Sequence, residues 1–316
     1  MSQSVDTDGL SLQNLTNSSD FRRFKQRSES EWKQLRSDHE HRIDSLLSDY
    51  LERRSQHERN PVLDFLFEYY SFRPSLLRRW TPGMGVLLKG NNSAENALHD
   101  AFVTCDAGAF VDPKNFPAHR KNSIRWILNL LRAISSRSPR FGCYGLHEWA
   151  MVYQTEKVRH PYLPLRLPLD EIAGFVDTQQ IACSHFDAFR FFTKPARPLN
   201  NLQPHRENRM ELEQPGCVHV TMDLYKWAYK IYPWIDSDLL TNAFELAIDA
   251  RTVDMQASPY DMREYGLQPI KIETTDGRIK YRNEQEKLAL KAGPIRERII
   301  KVYEDLLGNL KPQDTK

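Results

Sequence analysis

Apolar and polar positions along the chain alternate with a mostly helical rhythm. From Asp20 to Arg54 a highly charged stretch carries apolar residues at Phe21, Phe24, Trp32, Leu35, Ile43, Leu46, Leu47 and Tyr50. This spacing predicts an amphipathic helix laid on a core, with Asp20 placed to cap its start. Pro61 opens "PVLDFLFEYYSFRP", apolar nearly all round and so predicted to be a buried helix ending at Pro74, with "SLLRRW" adding a turn or two. "TPGMG" reads as a turn, and "GVLLKG" and "AFVTCDAGAFVD" as short strands or irregular buried segments. The clearest helix is Ser123 to Arg137, where Ile124, Ile127, Leu128, Leu131 and Ile134 form one stripe behind a serine cap. Thr221–Tyr232 and Asp236–Asp249 suggest a helical pair broken at Pro233, and Glu284–Leu307 a closing helix with a break near Gly293-Pro294. Residues 269–282, "PIKIETTDGRIKYR", alternate around Asp276-Gly277 and predict a β-hairpin.

The expected architecture is therefore mainly α with a small β-hairpin. Residues 1–19 are rich in Ser, Asn and Asp and are expected to form a disordered tail. Residues 20–316 are expected to form a single helical domain, with a long ordered loop at about 193–216. The chain has 316 residues, 40% of them hydrophobic, enough for a substantial core. No apolar run reaches the roughly 18–20 residues that span a bilayer, and the N-terminus lacks an apolar signal core, so the expected location is the cytoplasm, with no membrane partner. The net charge of +2 does not by itself demand a nucleic-acid partner. Cys105, Cys143, Cys183 and Cys217 are widely spaced without a C-x-x-C pair and read as buried free thiols.

Several ionisable residues sit in apolar surroundings, where burial costs several kcal/mol unless they are paired. His147 and Glu148 lie in "GLHEWAMVY"; His185, Asp187 and Arg190 lie in "SHFDAFRFF". His219 and Asp223, four residues apart in "PGCVHVTMDLYKWAYK", share one face if the helix begins before Thr221. His147, Glu148, Asp187 and His219 are the candidate acid/base groups. His185, Asp187, His219 and Asp223 would suit a divalent iron, manganese or zinc ion. These three segments are expected to enter the interior and at least two to share one polar pocket, with Arg190 or Arg73 near its wall. Asp249, Arg251, Asp254 and Asp261 suggest a turn organised by charge-assisted hydrogen bonds, or a carboxylate among them serving as general base. Tyr69, Tyr70 and Trp80 interleaved with Arg73, Arg78 and Arg79 suit stacking on a base and pairing with phosphates, and equally a packed aromatic core with a basic rim.

"NPVLDFLFEYYSFRPSLLRRWTPG", "GLHEWAMVY", "SHFDAFRFF", "QPGCVHVTMDLYKWA" and "DARTVDMQASPYD" resemble a bacterial family of 3-methyladenine DNA glycosylases, over most of the chain after residue 60. The resemblance implies a DNA partner and excision of alkylated purines. Tyr69, Tyr70 and Trp80 would stack the extruded base, Arg73, Arg78 and Arg79 would grip phosphates, Arg190 is a further candidate for substrate binding, and a buried carboxylate would be catalytic. A helix-hairpin-helix reading of "TPGMG" fails because Gly90-Asn91-Asn92 would break its second helix. The residues themselves point to a second function: a metal- or acid/base-dependent enzyme acting on a small molecule in a buried His/Asp/Glu pocket. A third reading is a non-enzymatic helical binding module whose charged groups are core salt bridges.

Overall fold

A computed structural model describes residues 23–90 and 101–310. The predicted tail at 1–19 and the Asp20 cap lie outside these residues. The elements run β1 (Lys25–Arg27), α1 (Glu29–Ser55), α2 (Pro74–Leu77), β2 (Val86–Leu88), β3 (Phe102–Cys105), β4 (Gly108–Val111) and α3 (Lys121–Ser135). Then follow α4 (Leu146–Ala150), α5 (Leu169–Asp177), α6 (Phe186–Phe189), α7 (Arg209–Leu212), α8 (Val218–Lys230), α9 (Ser237–Ala257) and α10 (Thr275–Asn309). Helix makes up 56% and strand 7%, so the fold is mainly α with a small sheet.

The first helix starts at a capping box. The Ser28 backbone N–H donates to Glu31 Oε2 at 2.8 Å, and the Glu31 N–H donates to Ser28 Oγ at 3.4 Å. Trp32, Ile43, Leu47 and Tyr50 turn inward, as the spacing predicts, joined by His39, while Leu35 stays exposed and Phe24 precedes the helix. The all-apolar stretch after Pro61 is less regular than expected: Phe65–Tyr69 is a π-helical turn, closed by Ser71 at φ 56°. That local widening brings the Phe65 and Tyr69 rings parallel, with centroids 4.8 Å apart.

The core is built on α8, where nearly every residue from Val218 to Ala228 is buried. It pairs with α9 along its length, and α10 packs across both and against α3. A helix with no polar face must be covered on all sides. The short strands form a sheet in the order β1-β2-β4-β3, with β1 parallel to β2 and the other pairings antiparallel.

The hairpin of this fold is β3–β4, turning at Asp106-Ala107, and not 269–282. Helix α10 runs straight through Asp276. Thr274 caps it, its Oγ1 accepting the Gly277 N–H at 3.1 Å, so the Thr-Thr-Asp stretch acts as a helix start. Gly277 answers to close packing: a Cβ there would meet the Lys271 carbonyl oxygen at 1.8 Å. The expected break at Gly293-Pro294 is also absent, since α10 carries Pro294 inside it. Asp249, Arg251 and Asp254 stand on the long helix α9 instead of organising a turn. Residues 193–216 are irregular apart from a 3-10 turn at Arg197–Leu199 and the short α7.

Candidate functional site

The three polar segments meet in the interior, on α4, the start of α6, and α8, and α9 adds a fourth set. The entry to α4 is two left-handed residues, Tyr144 at φ 49° and Gly145 at φ 76°. This turn presents Cys143 and His147 to one another, with Cys143 Sγ 3.4 Å from His147 Nδ1. On the far side of the ring, His147 Nε2 lies 2.7 Å from Asp254 Oδ1. Arg251 Nη1 donates to Asp254 Oδ2 at 2.6 Å and to Glu148 Oε1 at 2.7 Å. Asp254 can only accept, so His147 Nε2 carries a proton and Nδ1 faces the thiol.

A second network abuts the first. His185 caps α6, its Nδ1 accepting the Ala188 N–H at 3.3 Å, which leaves Nε2 to donate to Asp223 Oδ2 at 3.3 Å. Asp223 also accepts from Tyr70 Oη at 2.9 Å, from Lys226 at 3.4 Å and from Arg209 at 3.5 Å. Arg209 donates to Glu213 at 2.7 Å, and Lys226 to Asp187 at 3.1 Å. His219 joins the networks. Its ring meets His147 edge-on with centroids 4.5 Å apart and lies nearly parallel to His185 at 5.2 Å. Three imidazoles thus form a row, with Asp254 at one end and Asp223 at the other. The start of α8 at Val218 keeps His219 and Asp223 on one turn-to-turn face.

Burial and charge push the two central imidazoles apart. Burial works against a charge on His147, but Asp254 and Cys143 beside it outweigh this and hold it well above the usual histidine range. Burial and the neighbouring His147 charge drive His219 well below that range. Asp254 is kept below the ordinary carboxylate range, since His147 and Arg251 overcome its burial. Lys226, His185 and Arg209 do the same for Asp223. A hydrogen bond from the Cys183 thiol, with His147 alongside, lowers the Cys143 thiol against its burial. Burial and charge thus move His147 and His219 in opposite directions, the arrangement that separates a proton donor from a proton acceptor.

Some polar atoms in this region are unsatisfied. Among the described residues, His219 Nδ1, Glu148 Oε2, and Arg251 Nε and Nη2 are buried without a hydrogen-bond partner. His147 also lines a partly open cavity of about 150 Å³ with Cys143, Cys183, Cys217, Tyr281 and Gln285. Tyr281 Oη and Gln285 Oε1 are likewise buried without a partner. The cavity walls are clamped together by Gln214, which accepts the Arg140 N–H at 2.8 Å and donates to the Arg140 carbonyl at 3.0 Å.

The sequence-derived assignments divide on this geometry. His185, Asp187, His219 and Asp223 do not form a metal-ligand set, because Lys226 and Arg209 occupy the two carboxylates. The ligand atoms gathered within 4.8 Å of one another belong to His147, His219 and Asp254. Two imidazoles and a carboxylate could hold a divalent ion. A metal there would compete with the His147–Asp254 hydrogen bond. Glu148 and Asp187 carry ion pairs with Arg251 and Lys226. Tyr70 and Tyr69 adjoin the second network, and Arg190, 3.4 Å from Asp187, donates to Tyr69 Oη at 3.4 Å. Arg73 is exposed beside Tyr229, Trp80 packs half-buried on the core, and Arg78 pairs with Asp44.

The cysteines read only as buried thiols in the sequence, and Asp254 only as one of several carboxylates that could supply a general base. Three thiols separated by some tens of residues carry no spacing signal. The Arg251–Asp254 pair had one, its three-residue helical offset in an apolar helix. A separate recess of about 520 Å³ is lined by Phe65, Tyr69, Arg159, His160 and Tyr162. Beside it, Arg159 and Arg190 lie over the Phe191 ring at 3.7 and 4.5 Å. Comparison of the chain with protein-family models, with characterised proteins and with solved structures finds no match.

Proposed function

We propose that the protein is a hydrolase that works by acid/base chemistry on a small, flat, polar substrate held in the cavity beside His147. One observation carries this reading: His147, held 2.7 Å from the buried Asp254, lines a cavity whose Tyr281 Oη and Gln285 Oε1 have no partner among the described residues. A buried donor and acceptor left unmade cost stability unless a ligand meets them. A substrate presenting a carbonyl to Tyr281 and an N–H to Gln285 would satisfy both. His147 would move the proton, Asp254 would fix its tautomer and stabilise its charge, and Arg251, braced by Glu148, would hold Asp254 in place. Neutral His219 is the adjoining proton acceptor.

Excision of alkylated purines from DNA, the activity the family resemblance implies, is the second reading. What favours it is the recess at Tyr69, where Arg159 and Arg190 share the Phe191 face. Stacked arginine and aromatic planes suit a nucleobase and its phosphates. Purine edges also present adjacent donors and acceptors of the kind Tyr281 and Gln285 would meet.

Both readings are tested by incubating the full chain with methylated duplex DNA and, separately, with a panel of small cyclic and linear amides, and analysing products chromatographically. Turnover of an amide without base release supports the first reading, and release of methylated purine supports the second. Amide turnover that survives His147→Gln would contradict the first reading, and intact methylated DNA after incubation would contradict the second.

A further inference from the structure

We infer that Cys143 is the nucleophile of this pocket and forms a thioester with a small acyl substrate, an amide or an ester. The inference rests on the acid/base reading of His147 and extends it. Its basis is a chain of contacts: Cys143 Sγ to His147 Nδ1 at 3.4 Å, His147 Nε2 to Asp254 Oδ1 at 2.7 Å, and Asp254 Oδ2 to Arg251 at 2.6 Å. A thiol, an imidazole and an orienting carboxylate in that order make an activated nucleophile. The thiol is also placed to meet a ligand. Cys143 is half-buried and lines the cavity with Tyr281 and Gln285, whose partnerless oxygens are independent signs of a ligand site. Cys183 and Cys217 line the same space but are fully buried, and neither has an imidazole within hydrogen-bonding distance among the described residues.

The chemistry balances as hydrolysis. The Cys143 thiolate, paired with the protonated His147, forms a bond to the acyl carbon, and His147 Nδ1 holds the proton for the leaving group. The C–N or C–O bond breaks, and the amine or alcohol leaves with that proton. Water then adds to the thioester carbon and gives a proton to His147. The S–C bond breaks, the acid departs, and the thiolate is restored beside the reprotonated His147, with no change in oxidation state. Tyr281 Oη is the side-chain donor available to the carbonyl oxygen as it gains charge.

The test uses the full chain at neutral pH with two probes, iodoacetamide and p-nitrophenyl acetate, read by peptide mass mapping. Exposed Cys105 on β3 is the internal reference. Cys143 is expected to alkylate at least about tenfold faster than Cys105 despite its lower exposure. The acetyl group is expected on the Cys143 peptide after acid quench. His147→Gln should bring Cys143 to the Cys105 rate or below, and Cys143→Ser, which keeps the side-chain volume, should leave no acetylated peptide. The wild-type map decides the matter even if His147→Gln fails to fold. Alkylation of Cys143 no faster than Cys105, or acetylation elsewhere, overturns the nucleophile. If His147 still holds its proton at neutral pH in that protein, only the nucleophile falls; a neutral His147 overturns the acid/base reading itself.

Discussion

Replacing Asp254 by Asn would remove one charge and almost no volume from the middle of the site. Asp254 is wholly buried and accepts from two cationic donors, His147 at 2.7 Å and Arg251 at 2.6 Å. Asn keeps one acceptor oxygen and turns an N–H₂ toward the other donor. Arg251 would retain Glu148, but the His147 charge would lose the one carboxylate within hydrogen-bonding distance among the described residues. Stranding one partner of a buried pair costs roughly 3–5 kcal/mol. Urea unfolding followed by tryptophan fluorescence should show a loss of that size near pH 6. The pH dependence has a definite sign. Asp254 is depressed in the fold, so its contribution is complete above the unfolded carboxylate value, about 4, and is lost as the pH falls toward the folded value. His147 is raised, so its contribution is complete below about 6.5 and is lost as the pH rises through its folded value. The gap between wild type and variant should be widest between these limits and close on both sides. A loss below about 1 kcal/mol at pH 6, the scale of an exposed pair, would refute the charged-pair description.

Gly277→Ala should destabilise the chain by about 1–3 kcal/mol, because the new Cβ would sit 1.8 Å from the Lys271 carbonyl oxygen at the start of α10; chemical denaturation beside Gly293→Ala, which meets nothing within 4 Å, is the comparison. Tyr70→Phe removes the donor 2.9 Å from Asp223 and should cost roughly 1.5–3 kcal/mol by the same assay. Arg42→Ala, at a partly exposed pair 2.7 Å from Glu245, should cost about 1 kcal/mol or less, and added salt should shrink the effect. Elemental analysis of the purified protein should find less than one equivalent of iron, manganese or zinc; a full equivalent would replace the proton-based account with a metal at His147, His219 and Asp254.

The sequence showed its helices wherever one apolar stripe met a polar face, as in α1 and α3. It misled where local chemistry had two meanings. Asp276-Gly277 suits a tight turn, yet Thr274 and the close approach of Lys271 make the same residues a helix start. Gly293-Pro294 reads as a break, yet α10 continues through it, packed on α3, α8 and α9. The polar segments were legible because His147, His185, His219 and Asp223 stand among large apolar residues. What they would face was not legible: Lys226 and Arg209 fill the carboxylates expected to bind a metal, and Asp254 comes from a cluster expected to form a turn. Cys143, Cys183 and Cys217 meet only through tertiary packing, which no spacing encodes.

Nitrogen-15 histidine NMR of the full chain, recorded through neutral pH, tests the acid/base site most directly. The account requires the His147 imidazole, set between Asp254 and Cys143, to be doubly protonated at pH 7, while the His219 ring beside it is neutral. In Asp254→Asn the His147 resonance should move toward the neutral form at the same pH. A neutral His147 at pH 7 in the wild-type protein, or a protonated His219, would contradict the account.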